Sequence, residues 1–227
     1  MRVLIDGLDL SGKTTLTAAL AAELEARGRT VVEHRGFLTD RHPARRLLKK
    51  LPLVRQPDST LVTTAYLTAG YVLDSLLVRT RASEPAGTVL IQDGYVDRTV
   101  AFGMAGGPYL AAVLALRWPR VFAPFDIAVY LHAPADARRA RLGVRETPDA
   151  VDIRGVEDAT FAATFTAMLT QGMGRRHRKL LVFDTSAHSP HEMATTIADA
   201  LLGTSVAPAT PAAPTAVAAL GELERAA

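Results

Sequence analysis

Gly7-Leu8-Asp9-Leu10-Ser11-Gly12-Lys13-Thr14 constrains this chain more than any other stretch. It lies between an apolar run, Val3 to Asp6, and a segment rich in Ala, Leu and Glu, Lys13 to Ala26, which Gly28 brings to a stop. A strand, a glycine-rich turn and a helix in that order make up the context of the G-x-x-x-x-G-K-[ST] loop. The glycines let successive backbone N–H groups face a phosphate, and the following helix aims the positive end of its dipole at the same point. Lys13 then reaches the outer phosphates and the Thr14 hydroxyl meets Mg²⁺. Gly7, Asp9, Leu10, Ser11, Gly12, Lys13, Thr14 and Thr15 are therefore the candidate nucleotide-binding residues, with ATP and Mg²⁺ as the cofactors expected.

The alternation continues along the chain. Thr30 to Glu33, Thr88 to Ile91, Asp126 to Leu131 and Leu180 to Phe183 read as further strands, with helical stretches between them. Continuous apolar strands separated by helices indicate a parallel sheet covered on both faces. The expected fold is a three-layer α/β P-loop NTPase fold with a central parallel five-stranded sheet. At roughly 150 residues per domain, 227 residues allow one domain and a tail. The domain is placed at 1–203 and the tail at 204–227, where Ala, Pro and Thr dominate and a flexible linker is expected.

Composition narrows the function. Without cysteine there is no disulfide framework, thiolate metal site or cysteine nucleophile, and a cytoplasmic protein is the expectation. The longest apolar run, Tyr109 to Leu116, falls far short of the roughly 20 residues of a spanning helix, so no membrane partner is expected. Arg2 leads straight into Val3-Leu4-Ile5 without the long apolar region of a secretory signal, so export is not expected either. The net charge is only +3, and nearly all the basic residues are arginine, suited to clamping phosphate. That favours a small phosphorylated ligand over nucleic acid.

Asp93 closes the third strand, so its carboxylate belongs at the carboxyl edge of the sheet, where it can hold hydrated Mg²⁺ or orient an attacking hydroxyl. The segment Asp93-Gly94-Tyr95-Val96-Asp97-Arg98-Thr99-Val100-Ala101-Phe102 resembles the D-R-Y-x-x-S-x-x-A-Y stretch of thymidylate kinases, whose phosphate loop Gly7-Leu8-Asp9 to Thr15 also resembles. Asp126 to Leu131 with Pro134 resembles that family's fourth strand, and Phe183-Asp184-Thr185-Ser186 its adenine-packing loop. The resemblance spans about residues 1–203. It implies transfer of the γ-phosphoryl group of ATP to a small-molecule acceptor, a lid over about 138–155, and a homodimer formed by helices on one sheet face.

The departures concern the acceptor. Gly94 stands where the family has its phosphate-gripping arginine, and Tyr66 to Leu77 lacks the arginine expected in the preceding helix. Of the R-E-P segment after strand two only Arg35 remains as a phosphate ligand. Either Arg98, one helical turn beyond Gly94, reaches back to replace the clamp, or the acceptor is a nucleoside, sugar or antibiotic-like hydroxyl compound rather than a monophosphate. A regulator that binds nucleotide with little turnover is the reading from another class.

By resemblance Asp9 contacts the acceptor or a metal-bound water; otherwise it caps the turn. Arg138, Arg139, Arg141 and Arg145 are expected on a helix that runs into a loop, Glu146 to Asp152. Either they close over the transferring group, Arg138, Arg141 and Arg145 being the catalytic candidates, or they form a solvated basic face. Arg154 is an alternative. Tyr66, Tyr71, Phe37 and Phe102 are candidates to stack on the acceptor, or plain core. The run Arg41, Arg45, Arg46, Lys49, Lys50 reads as a solvated helix face or an acceptor contact, while His34 and His132 lack the partners for a metal site.

Overall fold

All five expected strands form and run parallel in one sheet: β1 (Arg2–Gly7), β2 (Thr30–Arg35), β3 (Thr88–Asp93), β4 (Ile127–His132) and β5 (Lys179–Asp184), in the order β2-β3-β1-β4-β5. They belong to a computed structural model that describes residues 1–38, 61–79, 85–106 and 109–203; the side chains of 61–67, 79 and 109–111 are not described. The basic run Arg41 to Lys50 and the tail 204–227 lie outside the described residues.

The central strands read as continuous apolar runs because both their faces are covered. Val3, Ile5, Val89, Ile91, Ile127, Val129 and Leu131 point to one side, where they meet α1 (Lys13–Ala26) and α8 (Pro190–Leu202). Leu16, Leu20 and Leu24 recur every four residues on α1, so they share one face, and all three are fully buried. Each contributes about 1.5–3 kcal/mol by leaving water. Leu4, Leu90, Ala128 and Tyr130 point to the opposite side, beneath α2 (Leu61–Arg79), α3 (Val96–Gly106), α4 (Tyr109–Arg117) and α7 (Ala159–Ala167). This is the three-layer α/β arrangement expected for a P-loop fold. Among the described residues no helix is long and apolar enough to cross a membrane.

Two local expectations change. The lid sequence was expected to leave its first helix, α5 (Ala135–Gly143), for a loop reaching Asp152, but a new helix, α6 (Ala150–Glu157), starts earlier. Asp149 caps it: its carboxylate accepts from the N–H groups of Val151 and Asp152, while the Asp152 carboxylate accepts from Asp149 N–H. Asp-x-x-Asp works here as a capping box usually written with Ser/Thr and Glu. The second concerns Tyr71 and Phe37: of the two readings, acceptor stacking or plain core, the structure has them buried in the core. Phe37, Tyr71, Tyr95 and Phe125 form an edge-to-face ladder with centroids 4.7–5.5 Å apart. Gly70 makes the first rung fit, since a Cβ there would stand 2.8 Å from Phe37 Cζ.

Candidate phosphate-binding site

The loop after β1 is shaped by three residues with positive φ, Gly7 (148°), Leu10 (66°) and Gly12 (94°). Gly7 is also a packing requirement, because a Cβ there would lie 2.5 Å from the Leu131 carbonyl oxygen of β4 and 2.9 Å from Ser11 Oγ. Helix α1 then begins at Lys13 with no side-chain cap and no acidic residue in its first turn. Its first N–H groups therefore remain available for an anion, and the Thr14 and Thr15 side chains stand exposed at the same opening. Ser11 is buried, so its contribution to a ligand is backbone.

Lys13 folds over the loop. Its Nζ donates to Gly7 O (3.0 Å) and Leu8 O (2.8 Å) and lies 3.3 Å from Asp9 Oδ1. From α3, Arg98 donates through Nη1 to the same Gly7 O (2.9 Å) and through Nη2 to Asp9 Oδ2. Burial works against the Asp9 charge, but Arg98 and Lys13 outweigh it and hold the carboxyl below its ordinary range. Burial, aided by the Arg98 charge, lowers the Lys13 ammonium. Beneath them lies Asp6, fully buried at the end of β1: Oδ1 accepts from Gly7 N–H (2.8 Å) and Oδ2 has no hydrogen-bond partner among the described residues. Burial pushes its pKa up to about 7 against the opposing charges of Arg98 and Lys13.

Asp6 gives the fold a measurable pH dependence. A carboxyl raised from 3.8 to about 7 is protonated when folded but ionised when unfolded across that window, so stability falls as pH rises through it. Asp6→Asn removes this loss. Urea midpoints should show the variant gaining about 1–3 kcal/mol on the parent between pH 5 and pH 8, whereas parallel pH profiles would refute the assignment.

The four arginines expected to form a lid separate by their contacts. Arg141 reaches the loop, donating through Nη1 to Leu10 O (2.7 Å) and Thr185 Oγ1 (3.1 Å), 3.8 Å from where a Gly12 Cβ would be. Arg145 pairs through Nε with the buried Asp152 (3.1 Å) and remains half exposed. Arg138 departs from its expected place over the phosphate. It is buried, with Nε donating to Ala133 O (3.0 Å) and Nη1 to Gly155 O, which ties α5 to α6. Backbone carbonyls of two buried residues, Ala133 and Gly155, accept from this guanidinium. Arg139 pairs with Asp136 on the exposed face, and Arg154 lies over the Phe161 ring.

At the end of β3, Asp93 faces Arg35, with Nε 3.6 Å from Oδ2 and the arginine largely exposed. Parallel pairing of β3 with β1 places Asp93 opposite Ile5, two residues short of Gly7, so the carboxylate and the loop share one end of the sheet. Gly94 has φ 67° and leaves room that the Arg98 side chain fills, its Cδ 3.7 Å from a built Cβ. Phe102 is half-buried beneath the Arg98 guanidinium (5.1 Å to the ring centroid). Tyr66 lies on α2, but its side chain falls outside the described residues. Of the segment expected to pack on adenine, Thr185 lies with its Cγ2 3.9 Å from where a Gly12 Cβ would be, and Phe183 is core.

Sequence reasoning missed a buried polar cluster behind the site. Asp97 accepts from Arg176 Nη2 (2.5 Å), Tyr130 OH (2.9 Å) and His177 Nε2 (3.1 Å). His177 Nδ1 accepts from Phe125 N–H, so the ring is neutral with its proton on Nε2. Burial lowers the imidazole, and Asp97 is held far below the ordinary carboxylate range, Arg176 and His177 overcoming the cost of burial. Asp6 was also missed; a charged residue inside an otherwise apolar strand was the available signal.

No protein-family model matches the chain, and no curated protein matches it either.

Proposed function

We propose that this chain is an ATP- and Mg²⁺-dependent phosphotransferase of the thymidylate kinase-like type. It would act in the cytoplasm on a nucleoside monophosphate or a related small molecule. The observation that carries the reading is the convergence of Lys13, the uncapped start of α1 and Arg141 on one glycine loop. Such a loop cradles the donor's phosphates through backbone N–H groups, while Lys13 and Arg141 neutralise charge that develops as the bond to the leaving ADP breaks. The acceptor oxygen attacks the γ-phosphorus in line, the bond from that phosphorus to the bridging oxygen of ADP breaks, and the acceptor's proton passes to a carboxylate or to water. Asp93, at the same end of the sheet as the loop, would take it or hold the metal.

Mg²⁺ fits the donor set. Thr14 would offer an exposed hydroxyl at the loop mouth and Asp93 a carboxylate at the sheet edge. The remaining positions would fall to phosphate oxygens and water, as Mg²⁺ prefers. The metal would neutralise charge between the two outer phosphates.

An uncharged hydroxyl acceptor is favoured beside a monophosphate by one observation: of the two described arginines at that edge, Arg98 turns toward the glycine loop through Gly7 O and Asp9, and Arg35 faces Asp93. A coupled ADP-release screen over nucleoside monophosphates, nucleosides and phosphosugars tests the reading. Acceptor-dependent ADP release is expected; tight ATP binding without turnover on any acceptor would favour a nucleotide-binding regulator instead.

A further inference from the structure

We propose, building on the phosphotransferase reading, that Arg98 is a third cation of the donor's terminal phosphate site, beside Lys13 and Arg141, and that Asp9 is the stand-in anion a γ-phosphate displaces. The loop itself carries no cation at Leu8 to Ser11, so any charge beyond Lys13 must come from another element. α3 supplies one such charge. The Arg98 stem runs through the space that Gly94 leaves open, its guanidinium lies over the Phe102 ring, and the side chain is only a quarter exposed.

Two of these cations hold the same two groups. Lys13 and Arg98 each donate to Gly7 O, and each takes one oxygen of the Asp9 carboxylate, Oδ1 and Oδ2 respectively. Two adjacent positive heads repel unless an anion lies between them, and Asp9 is that anion. A γ-phosphate carries more charge than a carboxylate and offers oxygens in several directions, so it matches an ammonium and a guanidinium together. Its arrival exchanges one anion for another and frees Asp9 to meet the acceptor hydroxyl. A diphosphate does not reach as far and leaves the Asp9 bridge intact, so Arg98 reads the presence of the third phosphate.

The test is calorimetric titration of the full chain with Mg²⁺–AMP-PNP and with Mg²⁺–ADP, on the parent and on Arg98→Ala, Arg98→Lys and Asp9→Asn. Arg98→Ala should weaken AMP-PNP binding at least about tenfold and ADP binding less than about twofold, and Arg98→Lys should recover part of the loss. Asp9→Asn should tighten AMP-PNP about three- to tenfold without moving ADP, because it removes the competing anion. A side chain that merely bolted the loop together would show the opposite sign, since its loss weakens both nucleotides. Equal losses for the two nucleotides in Arg98→Ala, or weaker AMP-PNP binding in Asp9→Asn, would overturn this role and leave the phosphotransferase reading standing. Failure of the parent chain to bind either nucleotide would overturn that reading itself. Asp9→Asn keeps the proposal falsifiable should Arg98→Ala not fold.

Discussion

Lys13→Ala should lower phosphoryl transfer at least about a hundredfold, the scale of losing one charged group aimed at a migrating phosphoryl. Its Nζ is held over the loop by two carbonyls and a carboxylate, none of them elsewhere in the core, so the expected loss is catalytic rather than structural. The melting temperature should stay within a few degrees of the parent. Initial rates with the best acceptor from the ADP screen, taken beside a thermal melt, separate the two effects. Near-parental turnover would remove Lys13 from the chemistry.

Asp97→Ala should have the largest effect on stability. The carboxylate is fully buried and serves three partners, and its removal leaves Arg176, whose side chain is 1% exposed, without its counter-charge. Breaking a buried pair from one side costs about 3–5 kcal/mol. For a domain of this size that is a fall of roughly 6–20 °C in Tm. The folded-state carboxyl is depressed, so its contribution is complete above the ordinary carboxylate range and is lost only as pH falls well below it. The destabilisation should therefore be the same at pH 6 and pH 8. A melt shifted by less than about 2 °C would show that the cluster is not holding α3 to the segment at Arg176.

The fold was legible because its signals are local. Alternating apolar strands and amphipathic helices, with Gly28 after α1, need no knowledge of distant partners, and the start of α1 at Lys13 follows directly from the glycine loop. The loop itself was equally readable, since glycine spacing and the lysine carry its chemistry in eight residues. What escaped were long-range choices among similar side chains. Four arginines within eight residues look alike in sequence, yet Arg138 turns inward because two buried carbonyls lie within its reach, Arg141 reaches the loop, and Arg145 meets Asp152. Asp97 and Arg176 are 79 positions apart, and nothing local marks them as partners. Arg98 was one of two readings of the missing clamp at Gly94; its stem does pass Gly94, but its charge goes to Asp9 and Gly7 O, a destination set by the approach of α3 to β1.

The most direct measurement follows the γ-phosphoryl group itself. ATP labelled at the γ-phosphate is incubated with the chain, Mg²⁺ and each acceptor class in turn, and the products are separated. The expected result is label recovered on a small-molecule acceptor, dependent on both Mg²⁺ and Lys13. Label found only in inorganic phosphate, at a rate no acceptor changes, would contradict the phosphotransferase assignment.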